Sequence, residues 1–160
     1  MKPAPFNPVQ AAQGGQPRNL HATAVLIGDR GILIMGPSGA GKTTLALALL
    51  DHFTGLGGFA RLVSDDQIFV SVAGGRLVCN APASIEGLAE VPGIGPQAID
   101  FERSAVIDLC LELIEGETER FQEQASLTIE SVSIPKISVP SRNVRAALQI
   151  VLSMANRNGA

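Results

Sequence analysis

Short apolar runs alternate along the chain with clusters of glycine, aspartate and proline, and these runs predict the elements. Ala22 to Ile27 is rich in β-formers. Gly28-Asp29-Arg30-Gly31 supplies turn residues, and Ile32 to Met35 is a second apolar run. Two runs split by so short a turn predict an antiparallel hairpin. Lys42 to about His52 is rich in Ala and Leu and predicts a helix, ended by Gly55-Leu56-Gly57-Gly58. Arg61 to Ser64 is a short strand that runs into Asp65-Asp66. Gln67 to Ala73, Gly74-Gly75 and Arg76 to Cys79 predict another hairpin, with a type I′ turn. Pro82 to Pro96 reads as irregular. In Ala105 to Ile114, Val106, Asp108, Cys110 and Glu112 alternate with Ile107, Leu109, Leu111 and Leu113, which predicts a half-buried strand with one apolar face. Ile134 to Val139 is a last strand, and Pro135 marks it as an edge. Ser141 is placed to cap a final helix whose Val144, Ala147, Leu148 and Val151 share one face. Met1 to Pro17 has no periodicity and reads as a flexible arm before one domain over 18–160.

The first hairpin bears on fold class. A strand followed by a glycine-rich loop and a helix ordinarily continues to a parallel neighbour. Here the preceding neighbour runs antiparallel, so an α/β domain with a mixed central sheet is expected.

Composition narrows the partners. The chain has 160 residues, nearly half of them hydrophobic, which suits one core. It has six Phe and no Trp or Tyr, so a base-stacking platform is missing. The net charge of −3 also argues against a nucleic-acid partner. Cys79 and Cys110 sit in apolar runs at a spacing that fits no metal pattern, as buried thiols in a reducing cytosol would. No apolar run approaches ~20 residues and no secretory signal is visible, so neither a membrane span nor export is expected, and a cytoplasmic location is.

The candidate chemistry begins at Gly36-Pro37-Ser38-Gly39-Ala40-Gly41-Lys42-Thr43, a complete phosphate-binding P-loop that opens into Thr44 and the helix. Its glycines let several N–H groups point at one anion, and the helix N-terminus adds about half a positive charge there. Lys42 would reach the terminal phosphates of ATP, and the Thr43 hydroxyl would hold Mg²⁺. The plainer alternative, a glycine turn capping an ordinary helix, does not account for the strand before it. Asp65 and Asp66 end an apolar strand, as a Mg²⁺-binding carboxylate does. Repulsion between two close carboxylates favours one as a proton acceptor. A solvated turn is the bland alternative. Asp108 is a rival metal ligand, although its strand face is polar. His21, just before the first strand, and the isolated Arg120 and Arg142 carry little by themselves.

The order His21, P-loop, Leu62-Val63-Ser64-Asp65-Asp66, Glu90-Val91-Pro92-Gly93-Ile94-Gly95 and Arg120 resembles the catalytic domain of the HPr kinase/phosphorylase family over about Leu20 to Asn143. The resemblance implies a fold related to phosphoenolpyruvate carboxykinase. It also implies a kinase that uses ATP and Mg²⁺ to phosphorylate a serine of the phosphocarrier HPr, often with phosphorolysis of the product. By the same resemblance, Lys42 binds the transferred phosphoryl group and Thr43, Asp65 and Glu90 hold Mg²⁺. Asp66 is the proton acceptor, and His21 and Arg120 belong to the active site. Arg142 loosely matches a basic loop linked to dephosphorylation. The family usually has Arg where Pro92 stands. The loop at Val139-Pro140-Ser141-Arg142 is shortened, and Asp51 to Ala60 is longer than usual. The short, one-domain form of proteobacteria is implied, and the long form is a hexamer. Three functions follow: a protein-serine kinase, a nucleotide sensor that binds ATP without phosphotransfer, or, on fold analogy alone, a small-molecule kinase or carboxykinase-like enzyme.

Overall fold

The structure is a computed structural model and describes residues 17–119 and 123–158. The arm expected over Met1 to Pro17 lies, apart from Pro17, outside these residues. Eleven strands and two helices are described. The first three strands are β1 (Arg18–Leu20), β2 (Thr23–Ile27) and β3 (Arg30–Met35). Helix α1 (Lys42–Gly55) follows, then β4 (Ala60–Ser64), β5 (Ile68–Ala73) and β6 (Arg76–Asn80). A single 3₁₀ turn (Ala83–Ile85) leads to β7 (Leu88–Val91) and β8 (Gly95–Ala98). The chain closes with β9 (Ser104–Ile114), β10 (Ala125–Ile129), β11 (Val132–Pro140) and α2 (Val144–Asn158).

Both expected hairpins form. β2 pairs antiparallel with β3 from Thr23↔Ile34 to Ile27↔Arg30. β5 and β6 pair around Gly74-Gly75, whose two positive φ angles are those of a type I′ turn. The sheet is mixed, as the first hairpin predicts. β3 and β11 run parallel to β9, whereas β2 runs antiparallel to both β3 and β4. The stretch expected to be irregular carries the separate β7–β8 hairpin.

Alternation along the strands divides the interior into two apolar clusters. Val25, Ile34, Leu62, Leu111 and Val139 pack beneath the helices with Leu45, Leu49, Ala147 and Val151. Their neighbours Ala24, Leu33, Val63 and Cys110 face the other way, against Ile68, Val70, Leu77 and Cys79 of the β5–β6 wing. Of the face expected for the final helix, Ala147 and Val151 are buried and Val144 and Leu148 pack against the same cluster.

Three expectations are corrected. β9 does not carry one apolar face: its pairing with β3 jumps from Gly31↔Ile107 to Ile32↔Leu109, leaving Asp108 as an extra residue. This bulge reverses the alternation, so Ile107 faces the β5–β6 wing while Leu111 and Leu113 face the helices. Asp108 serves the bulge: its carboxylate accepts the Gly31 N–H (3.2 Å) and pairs with Arg76. Second, β11 is not an edge along its whole length. It pairs with β10 over Val132–Lys136 and with β9 over Lys136–Pro140, so Pro135 stands just before the β9 ladder begins. Third, Asn143 caps α2 in place of Ser141: its Oδ1 accepts the Ala146 N–H at 3.1 Å.

Two predictions follow from this packing. A Cβ at Gly31 would stand 1.9 Å from the Val106 carbonyl oxygen. Gly31→Ala is expected to lower unfolding free energy by about 3 kcal/mol, since backbone has to move; a urea midpoint matching the parent would contradict this. Burial pushes the thiols of Cys79 and Cys110 from the ordinary 9.0 up to about 12. The folded state holds them as neutral thiols, so their contribution is complete below pH 9 and is lost as pH rises toward 12. Disulfide reagents at pH 8 should label neither thiol before denaturation and both after it.

Candidate active site

β3, β4, β9 and β11 all run the same way, so their C-terminal ends share one edge of the central sheet. β2 runs oppositely and therefore starts at that edge. Open α/β sheets bind ligands along such an edge, because every parallel strand delivers a loop to it. Here the edge receives the glycine-rich loop after Met35, Asp65-Asp66 after Ser64, Glu115 after Ile114 and Ser141-Arg142 after Pro140. His21 arrives there just ahead of β2.

The loop joins β3 to α1 through Gly41, whose φ of 98° suits glycine. No side chain caps the helix N-terminus. Pro37, Ser38 and Gly39 are exposed, Ala40 is buried, and Thr44 points outward from the first helical turn. The Lys42 side chain is nearly buried and folds back over the loop, donating to the carbonyls of Gly36 (2.9 Å) and Pro37 (3.3 Å). The turn after β11 rests on the same loop: the Arg142 N–H donates to the Ala40 carbonyl at 3.0 Å. The Arg142 guanidinium pairs with Glu115 at 2.6 Å, both side chains largely exposed.

Asp65, only 5% exposed, ties four segments together. Its Oδ1 accepts the hydroxyls of Thr43 (2.7 Å) and Thr23 (3.0 Å), and its Oδ2 accepts the Glu90 N–H (2.9 Å). A carboxylate can only accept, so both threonine protons point at it. The Thr43 hydroxyl has then used its one proton and keeps its lone pairs as acceptors. Asp66 follows with φ at 65°, in the left-handed region that a non-glycine residue seldom adopts. Its side chain meets His21, with His21 Nε2 at 3.0 Å from Asp66 Oδ1. The Asp66 N–H donates to Thr23 Oγ1 at 3.2 Å.

Of the residues the sequence singles out, the structure brings His21, Lys42, Thr43, Asp65 and Asp66 to one place. Glu90 joins through its backbone, with its residue exposed on the β7–β8 hairpin. Pro92 stands in that hairpin's turn, closed by the Ile94 N–H on the Val91 carbonyl at 3.0 Å; its fixed φ suits the second position there. Arg120 lies outside the described residues. Asp108 is taken up by the bulge beside Gly31, at the opposite end of β3 from the loop, so it is no rival to Asp65. Sequence reasoning missed Thr23. Nothing in the pattern separates it from any β-branched residue that starts a strand. Among the described residues no three His, Cys, Asp or Glu side chains form a metal cage. No helix among them is long and apolar enough to cross a membrane.

Fold and site together define a mixed α/β domain in which a strand–glycine loop–helix unit faces a pair of acidic residues. Within that class the assignment is specific, because residues 15–159 match the family described as HPr Serine kinase C-terminal domain. The chain belongs to that family. It is similar to the HPr kinase/phosphorylase of Caldanaerobacter subterraneus subsp. tengcongensis, 29% identical over 152 residues that cover 87% of this chain and 48% of that protein. The HPr kinase/phosphorylase of Brevibacillus brevis is 32% identical over 152 residues, 87% of this chain and 47% of its own. The chain thus spans about half the length of these curated relatives. Its fold matches the structure of the HPr(Ser) kinase/phosphatase from Coxiella burnetii with a TM-score of 0.71 and 25% identity, over 89% of this chain and 95% of that one.

The Asp65 arrangement is a stability determinant in its own right. Asp65→Ala leaves two hydroxyls and one N–H without their acceptor, and should cost about 2 kcal/mol of unfolding free energy. Urea denaturation checks this, and a variant as stable as the parent would show that solvent replaces the carboxylate freely.

Proposed function

We propose that this domain is an ATP- and Mg²⁺-dependent protein-serine kinase whose acceptor is HPr or a related phosphocarrier protein. Family membership and the relatives' names support an HPr kinase. The observation that carries the reading is the convergence at one sheet edge of the Lys42 loop, the Asp65–Thr43 pair and the Asp66–His21 pair. The mixed sheet is also what a phosphoenolpyruvate carboxykinase-like P-loop fold requires.

In this reading the ATP phosphates lie along the loop, and Lys42 exchanges its two carbonyl partners for phosphoryl oxygens. Asp66 takes the proton of the acceptor serine as the serine oxygen attacks the terminal phosphorus in line with the departing ADP oxygen. His21, 3.0 Å from Asp66 Oδ1, holds the carboxylate in place. The residues present fit Mg²⁺, which favours hard oxygen donors and keeps several waters in place of a full protein cage. Thr43 Oγ1 would hold it through lone pairs left free by the bond to Asp65, with Asp65 and Glu90 as further oxygen donors. When bound, the ion neutralises phosphate charge. Phosphorolysis would run the same transfer backward to inorganic phosphate, with Asp66 returning the proton.

A nucleotide sensor is the other reading, motivated by Pro92 in the turn where the family commonly carries arginine and by the shortened loop at Val139-Pro140-Ser141-Arg142. Incubation with labelled ATP, Mg²⁺ and the phosphocarriers of the same genome separates the two. A labelled serine supports the kinase, and tight ATP binding with no labelled protein supports the sensor. Asp66→Asn is expected to keep ATP affinity and lower transfer by about 10²–10⁴-fold. Transfer at the parent rate in that variant would remove the general-base role.

A further inference from the structure

We infer that Thr23 is a positioning residue, whose single hydroxyl sets the geometry of both acidic residues at once. This rests on the kinase reading above for its consequence in turnover, and on the geometry alone for the placement. The Thr23 side chain is fully buried, two residues beyond His21 at the start of β2. Its proton goes to Asp65 Oδ1 at 3.0 Å, because the carboxylate cannot donate. Its oxygen lone pair then accepts the Asp66 N–H at 3.2 Å. One hydroxyl therefore bridges the side chain of one aspartate and the backbone of the next.

The backbone at Asp66 makes this bridge consequential. With φ at 65°, Asp66 occupies a conformation that costs energy for a residue with a Cβ and persists only when its surroundings enforce it. Among the described contacts, the enforcing bond to its own N–H comes from Thr23, which is held opposite Ile34 in the β2–β3 ladder and precedes the β2–β4 ladder that starts at Ala24. The Gln67 N–H closes onto the Asp65 carbonyl at 2.8 Å, and this holds the turn together without setting where it points. Because His21 lies two residues ahead of Thr23, the start of β2 helps to position both halves of the His21–Asp66 pair. Thr23 is the link by which a change at the Asp65 end reaches Asp66. Its role is to hold other groups, since it has no route to substrate from its buried site.

The pair T23A and T23S isolates the hydroxyl, since both lose the methyl group and only one keeps the bridge; T23V keeps the volume and drops the hydroxyl. Three readouts apply. Amide hydrogen exchange of Asp66 needs no nucleotide. Calorimetry gives ATP affinity with and without Mg²⁺, and a transfer assay gives kcat. T23A and T23V are expected to speed Asp66 exchange and to cut both the Mg²⁺-dependent gain in affinity and kcat by about 10-fold or more, as loss of a partner that orients a metal-site carboxylate does. Binding of ATP without metal should be unchanged, and T23S should restore all three. The inference is overturned if Asp66 exchange in T23A and T23V equals the parent's, or if T23S is as impaired as T23A. A parent protein that transfers no phosphate would remove the kinase reading, while the exchange data would still decide whether Thr23 holds Asp66.

Discussion

The buried carboxylate of Asp65 is the constraint on which the rest of the edge depends. It is an acceptor with three donors from three different segments: Thr43 in α1, Thr23 in β2 and the Glu90 N–H in β7. An acidic side chain so little exposed needs such partners, because leaving it unpaired would cost several kcal/mol. The requirement works in both directions. The carboxylate orients the two hydroxyls, and the hydroxyls and N–H fix where β4 ends relative to the glycine-rich loop. The β7–β8 hairpin, which shares no ladder with the large sheet, is tied to the site through that one N–H.

Around this point the sheet supplies direction. Because β3, β4, β9 and β11 run the same way, four segments reach one edge without long excursions. Because β2 runs the other way, His21 and Thr23 arrive at that same edge at a strand's start. A uniformly parallel sheet would have carried the beginning of β2 to the far side. The bulge at Asp108 lets a single long strand serve both layers: the first part of β9 pairs with β6 and the last part with β11. The close approach at Gly31 is the steric condition for that arrangement.

The curated relatives are about twice as long as this chain. The loop, the two aspartates, His21 and the turn that rests on the loop all come from the described part of this chain. The Coxiella burnetii chain, covered over 95% of its length, shows the same fold at similar extent.

Much of this was legible in the sequence where the physics is local. The strand–loop–helix unit, the two hairpins and the antiparallel strand before the loop follow from turn residues and apolar runs a few positions apart. Asp65-Asp66 at the end of an apolar strand could be read the same way, and so could the buried cysteines. What the tertiary structure decided involves partners roughly 20 to 100 positions away. Asp108 looked like an acid at a strand and proved to be a bulge residue whose carboxylate accepts the N–H of Gly31, 77 positions earlier. Pro135 suggested an edge, and β11 pairs with β10 up to Lys136 and with β9 from Lys136 on, because a second ladder can begin just after a proline. Ser141 was the expected cap, but the turn docks onto Ala40 through the Arg142 N–H and it is the Asn143 side chain that reaches Ala146. Thr23 shows the difference most plainly. By itself it is a β-branched residue that starts a strand; only the fold, by setting β2 beside β4, turns its one hydroxyl toward both aspartates.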